Sequence, residues 1–184
     1  MITELKEEEI ALVLQMSDKF VGKNFQTYES IKDYILNPQK VIRIYKINNE
    51  IVGFVKGEIL KKSEFKKSLL KVDKPFEKKV TDDGYMGYAE TICVKEEYRH
   101  THIAHDMADE LIRVMKKIEN IDVICTTVWK SGDIANAKNL VETIGFKLIT
   151  EIKNYWYNDS IKKKYMCPHC GNPPCKCSML FYKM

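Results

Sequence analysis

Two segments of this 184-residue sequence bring together residue types that do chemistry. In the first, Arg99-His100-Thr101-His102-Ile103-Ala104 joins a β-type run to a helical one through a short polar loop. A helix start of this kind exposes unpaired backbone N–H groups and the positive end of the helix dipole, which together attract phosphate. In the second, Cys167-Pro168-His169-Cys170-Gly171-Asn172-Pro173-Pro174-Cys175-Lys176-Cys177 has the spacing C-x2-C-x4-C-x-C, with Gly and Pro supplying tight turns between soft ligands. Thiolates from Cys167, Cys170, Cys175 and Cys177 suit tetrahedral zinc. Reduced thiols, a labile disulfide or an iron–sulfur cluster are the other outcomes open to this spacing, and His169 can replace one sulfur. A closed four-sulfur site would brace this excursion of the chain, a structural role.

The elements that must position these groups are legible from periodicity. Ile10, Val13, Leu14 and Phe20 recur at helical spacing, and Tyr28, Ile31 and Ile35 repeat the pattern until Asn37-Pro38 stops it. Val41 to Ile47 and Ile51 to Leu60 read as strands joined by a hairpin turn at Asn48-Asn49-Glu50. Tyr85 to Val94, rich in aromatic and β-branched residues, is a strand running into the first chemical segment. The following helix carries Ile103, Met107, Leu111, Val114, Met115 and Ile118 on one face and charged residues on the other. Asp122 to Trp129 is a strand, and Ser131-Gly132-Asp133 is a turn with a potential helix cap. Ala137, Leu140, Val141 and Ile144 form a helical stripe ended by Gly145. Phe146 to Tyr157 and Ser178 to Lys183 are the last strands. Alternating strands and helices from residue 85 onward call for a mixed sheet with helices on its faces. Residues 61–80 are lysine-rich and broken by Pro75; they read as an irregular, partly helical, solvated insertion, though such a segment can also wall a site for an acidic acceptor.

Arg99 and Ala104, at the two ends of the polar loop, resemble the Arg/Gln-x-x-Gly-x-Gly/Ala signature of the GNAT acetyltransferase superfamily. Asn136-Ala137, Leu140, Glu142 and Ile144-Gly145-Phe146 resemble its second motif, Asn-Ala followed by Leu-Tyr-Glu-Lys-Leu-Gly-Phe. The resemblance spans roughly residues 40 to 157 and resumes at the last strand. It implies an α/β (α+β) fold, with a mixed, mostly antiparallel sheet flanked by helices and a small cysteine-rich insertion at residues 165–178 before the final strand. Residues 1–184 are then one acetyltransferase domain. It further implies acetyl-CoA as cosubstrate, held at the diphosphate by Arg99, His100, Thr101, His102, Ile103 and Ala104. The pantetheine arm lies along Ile92, Cys93 and Val94, and Asn136 belongs to the same binding region.

The reaction implied is acetyl transfer to a primary amine, on a small molecule or a protein, by direct attack in a ternary complex. An attacking amine must be neutral, whereas alkylammonium groups have a pKa near 10, so a base or a proton-accepting channel is needed. Glu90 is the candidate base; it can instead bind the acceptor's ammonium or face solvent. The backbone N–H of Ile92 or Val94 is placed to stabilise the oxyanion. Cys93 reads as a packing cysteine, since no His stands beside it. Two positions depart from the family pattern. His102 replaces the central loop Gly, and is either a phosphate donor or a tolerated surface histidine. Val141 stands where many members place a Tyr that protonates the leaving thiolate. A thiol pKa near 8.5 makes that acid dispensable, with water, Tyr155 or Tyr157 as substitutes.

Composition narrows the alternatives. A formal charge of +4, with acids and bases interspersed, argues against a nucleic-acid-binding protein; Lys162, Lys163 and Lys164 beside the cysteines are the one feature in favour of such an appendage. No apolar run is long enough to cross a membrane, and the charged start lacks a signal region, so a soluble, cytoplasmic protein is expected. The oligomeric state stays open, a homodimer included. The rival reading from another class is a non-catalytic acyl-CoA-binding or sensing module of the same fold, motivated by His102 and Val141.

Overall fold

The computed structural model describes residues 1–63, 84–118, 121 and 123–184. The chain opens with a short strand, β1 (Ile2–Glu4), and one 3-10 turn (Glu7–Glu9). Helices α1 (Ile10–Phe20) and α2 (Tyr28–Leu36) follow at the expected places. A reciprocal cap starts α2: Ser30 N–H donates to Thr27 Oγ1 at 3.1 Å while Thr27 N–H donates to Ser30 Oγ at 2.9 Å. Asn37, preceding Pro38, is extended and ends it.

Strands β2 (Lys40–Ile47) and β3 (Glu50–Lys61) form a hairpin whose two-residue turn places Asn48 and Asn49 at φ 49° and 65°. Both central residues of such a turn need positive φ, which Asn tolerates better than most residues. Next come β4 (Tyr85–Val94), a 3-10 turn (Glu96–Tyr98), α3 (Ile103–Ile118), β5 (Ile124–Lys130), α4 (Lys138–Ile144), β6 (Lys147–Ile152), α5 (Tyr157–Lys163) and β7 (Ser178–Lys183). The seven strands make one sheet in the order β1-β2-β3-β4-β5-β7-β6, with every neighbouring pair antiparallel except β4 and β5. This is the mixed, mostly antiparallel α/β architecture expected.

Both faces are covered. On one, Ile103, Met107, Leu111 and Met115 of α3 are buried against Val55, Ile59, Ile124 and Val128. Burial of side chains of this size contributes about 1.5–3 kcal/mol each, which fixes α3 along the sheet. On the other face, α1 and α2 cover Ile42, Ile44 and Phe54. Beside them the cysteine segment, Trp156 and Tyr165 cover Met86, Cys125, Met179 and Phe181.

Two expectations are corrected, and two elements are added. The strand expected over Phe146–Tyr157 is only β6, because its one partner, β7, begins at Ser178 and pairing ends at Ile152–Met179. The chain turns at Asn154 (φ 54°), buries Trp156, and forms α5, which was not anticipated. Asp133 does not cap α4: Ser131 and Ile134 close their own turn through reciprocal backbone bonds of 2.9 and 3.0 Å, and α4 starts from Ala137 without a side-chain cap. Strand β1 was unforeseen, since a stretch this short carries no readable alternation. Of the lysine-rich insertion, Lys61 ends β3 and Lys62 N–H donates to Gly84 O at 3.0 Å; residues 64–83 lie outside the described residues, as does Asp122.

Candidate active site

Strands β4 and β5 pair only at Gly87–Ile124, Tyr88–Cys125 and Ala89–Thr126, and beyond Ala89 they part. At the same point β4 is bulged against β3: Lys56 faces Thr91 and Gly57 faces Ala89, leaving Glu90 as the extra residue. Gly57 permits this, because a Cβ there would lie 2.6 Å from the Tyr88 carbonyl oxygen and would strike Met115. The bulge shifts the alternation of the strand. Lys95 N–H donates to Val52 O at 2.9 Å, so by antiparallel alternation Cys93 and Thr91 also bond to β3. The N–H groups of Ile92 and Val94 therefore point away from β3, into the gap.

A cavity of about 270 Å³ opens through this gap. On the α3 side it is lined by Ile92, Ala108, Ile112, Asn136 and Val141; on the other by Phe25, Glu90, Trp129, Trp156, Pro168 and His169. Glu90, Ile92 and Asn136 are thus brought to one cavity. Cys93 and Val94 are buried in the cores on opposite faces, and Ile103 packs in the α3-side core.

Glu90 is held from two sides. Lys56, only 2% exposed, donates from Nζ to Glu90 Oε2 at 2.6 Å, and the buried Tyr34 hydroxyl donates to Oε1. Lys56 Nζ also reaches Tyr34 Oη at 3.1 Å and sits 4.2 Å from the centre of its ring. Burial and the nearby Glu90 charge push the Tyr34 phenol far above its ordinary range, so it stays a donor. Enclosure, then the Glu90 charge, does the same to Tyr88, whose hydroxyl lies 2.9 Å from Thr127 Oγ1. Burial pushes the Cys93 thiol up to about 12, which suits a packing residue and not a nucleophile. Lys56, Tyr34 and Tyr88 were missed in the sequence; Lys56 carried a signal, as a charge interrupting the otherwise apolar run Ile51–Leu60, which it shares only with Glu58.

The polar loop at the end of β4 is open to solvent at Arg99, His100, Thr101 and His102. His102 O accepts the first helical bond, from Asp106 N–H at 2.9 Å. Among the described residues, the N–H groups of Ala104 and His105 have no acceptor. The left-handed residue is His100 (φ 61°), not His102, so the missing Gly imposes no left-handed strain at 102. Arg99 turns back, donating from Nε to Val94 O at 3.2 Å with its guanidinium 4.9 Å from the centre of the Phe20 ring. Tyr155 and Tyr157 do not line the cavity: Tyr155 packs edge-on against Trp156, and Tyr157 is exposed at the start of α5.

The sulfurs of Cys167, Cys170, Cys175 and Cys177 all lie within 4.8 Å of one another, and all four are free thiols. Their separations include 3.5 Å (Cys170–Cys177), 3.7 Å (Cys167–Cys177) and 4.0 Å (Cys170–Cys175). Zn–S bonds of about 2.3 Å give a tetrahedron with edges of about 3.8 Å, so the residues fit that ion. Backbone N–H groups of His169 and Cys170 donate to Cys167 Sγ at 3.4 Å, and that of Lys176 donates to Cys170 Sγ at 3.3 Å.

This sheet, splayed between a parallel pair beside a helix that follows a polar loop, defines a class that comparison identifies. The sequence matches the model of the Acetyltransferase (GNAT) family over residues 10–154, and the chain belongs to that family. Among solved structures, NAA60 of Arabidopsis thaliana in complex with acetyl-CoA superimposes with a TM-score of 0.70 at 14% identity, covering 100% of this chain and 97% of that one. Naa20 of Chaetomium thermophilum with a bisubstrate analogue gives 0.71 at 8% identity, covering 100% and 85%. Naa50 of Arabidopsis thaliana with the bisubstrate analogue CoA-Ac-MVNAL gives 0.65 at 14%, covering 100% and 97%. A search of curated sequences finds no significant match. Among the described residues, no helix is long and apolar enough to cross a membrane.

Proposed function

We propose that the whole chain acts as one N-acetyltransferase domain, moving acetyl from acetyl-CoA to a primary amine by direct attack in a ternary complex. The observation that carries this reading is the gap between β4 and β5, which joins the free amides of Ile92 and Val94 to a cavity with a carboxylate, Glu90, on its far side. The coenzyme lies on the α3 side, its diphosphate at the open helix start of Arg99 to Ala104 and its pantetheine arm beside Ile92 to Val94. Asn136 and Val141 flank it. The amine enters from the side of Glu90, Trp129 and Trp156. Its nitrogen bonds to the thioester carbon while the C–S bond breaks, and an Ile92 or Val94 N–H holds the oxyanion. Glu90, directly or through water, takes the amine proton, and the departing thiolate takes its proton from water. The complexes of NAA60 with acetyl-CoA and of Naa50 with a CoA-linked peptide support an acyl-CoA on one side and an amine on the other. The four cysteines hold one structural zinc ion.

Calorimetry with acetyl-CoA, followed by thiol release with a panel of small amines and peptides with free N-termini, tests the reading. Failure to bind acetyl-CoA removes it. One observation favours a second reading, a non-catalytic acyl-CoA-binding module: both Glu90 carboxylate oxygens are already engaged, by Lys56 and Tyr34, and Val141 supplies no acid. Tight binding with no turnover selects that reading.

A further inference from the structure

We infer that the zinc-bound cysteine knot sets the acceptor side of the cavity, so that acceptor binding, and not acetyl-CoA binding, depends on the metal. The inference rests on the acetyltransferase reading above and assigns its regulation. Pro168 and His169, between the ligands Cys167 and Cys170, are themselves part of the cavity wall. Just before them, Met166 N–H donates to Lys23 O at 2.9 Å, in an antiparallel bridge to the α1–α2 connection. That connection carries Val21 and Phe25, which form the adjoining wall. On the third side, Cys175 N–H donates to the fully buried Ser160 Oγ at 2.8 Å, fastening α5 and, at its start, Trp156. Trp156 meets Trp129 edge-on with ring centres 5.0 Å apart, and Phe25 meets Trp129 at 5.6 Å. Apart from the strands β4 and β5, the walls that carry Phe25, Trp156, Pro168 and His169 thus lead back to one short segment that has no regular secondary structure to hold it.

A tetrahedral ion is what gives such a segment a fixed shape. The fully buried Tyr165, packed with Cys167, Cys175 and Cys177, has a hydroxyl with no partner among the described residues. Metal-bound thiolates are better acceptors for it than neutral thiols. The coenzyme side is built from β4, α3 and α4 without the knot. Metal loss should therefore act on one side alone.

The test uses the full chain as purified, its metal content measured by mass spectrometry. One zinc per chain is expected. Chelation, or Cys170→Ser, should raise the acceptor KM about tenfold or more with acetyl-CoA affinity within about twofold, because a small displacement of a positioning wall is costly. Added zinc should reverse the effect of chelation. His169→Ala, which keeps all four sulfurs, should raise the acceptor KM with zinc content unchanged, and covers the case in which Cys170→Ser fails to fold. A protein that neither contains nor takes up zinc overturns the inference, as does zinc loss with an unchanged acceptor KM or with equal loss of acetyl-CoA affinity. Absence of turnover with every amine instead refutes the acetyltransferase reading. In that event tryptophan emission decides: Trp156 and Trp129 should change emission as zinc leaves, and an unchanged spectrum sinks the clamp.

Discussion

Lys56 and Glu90 meet where β3 and β4 slip by one residue, the ammonium donating to the carboxylate at 2.6 Å from an almost fully buried position. Breaking such a pair by removing one charge leaves the other stranded, at about 3 kcal/mol. Glu90→Gln should therefore lower both thermal stability and turnover, the latter by about 100-fold if Glu90 accepts the proton, with acetyl-CoA affinity within about twofold. Adding Lys56→Met to that variant separates the effects. Stability should recover because no unpaired charge remains, while turnover should stay low. Restored turnover in the double variant would show that Glu90 serves only as the counter-ion of Lys56.

The buried thiols of Cys93 and Cys125 are each pushed up to about 12 by burial, against an ordinary value of 9.0. Between those limits the unfolded chain has lost both protons and the folded chain keeps them, so stability falls as pH rises from 9 toward 12. The slope is about 1.4 kcal/mol per pH unit for each such thiol. Denaturant melts at pH 8, 9.5 and 11 should show it. Cys93→Ala and Cys125→Ala should each flatten the decline, and Cys93→Ala should leave turnover in place, as the proposed direct attack without a covalent enzyme intermediate requires. A burst of acyl-enzyme lost in Cys93→Ala would contradict the assignment.

The elements read correctly from sequence were those whose pattern is local. Helix α3 separates its apolar and charged faces cleanly, and β4 and β7 are short apolar runs flanked by polar or turn residues. What escaped depends on partners distant in sequence. The chain leaves β6 at Ile152, where its pairing with β7 ends one residue from the start of that strand, a fact absent from the alternation of Phe146 to Tyr157. Glu90 was legible as a candidate, and it lines the cavity, but its engagement by Tyr34 and Lys56 was not legible, since α2, β3 and β4 meet only in the fold. The cysteine spacing announced a cluster. That Pro168 and His169 inside it wall the cavity could come only from the sheet beneath.

Gly57 lets β3 approach the bulge, and a methyl group there would sit 2.6 Å from the backbone carbonyl of Tyr88. The Met115 side chain can swing aside; the carbonyl cannot without moving the residues around Glu90. Gly57→Ala should cost about 1–3 kcal/mol and lower kcat by displacing Glu90. Gly132→Ala is the control. Gly132 has φ 57° with nothing within 4 Å of the added carbon, so that variant should lose about 1 kcal/mol and keep its turnover.

His102 supplies the carbonyl that begins α3, and its side chain stands in solvent beside the unpaired amides of Ala104 and His105. The helix dipole makes opposite demands on a carboxylate placed here. In the free protein, His102→Glu should stabilise the helix start by about 0.3–1 kcal/mol. Toward a bound diphosphate the same charge repels and competes for the same N–H groups, so acetyl-CoA affinity should fall about tenfold or more, most strongly at low salt. Melting temperature and calorimetry on one preparation give the two signs together. A variant that is no less stable and yet binds acetyl-CoA poorly places the diphosphate at this loop; unchanged affinity at low ionic strength moves the coenzyme elsewhere, because no anion within a few ångströms of these amides would be indifferent to a new carboxylate.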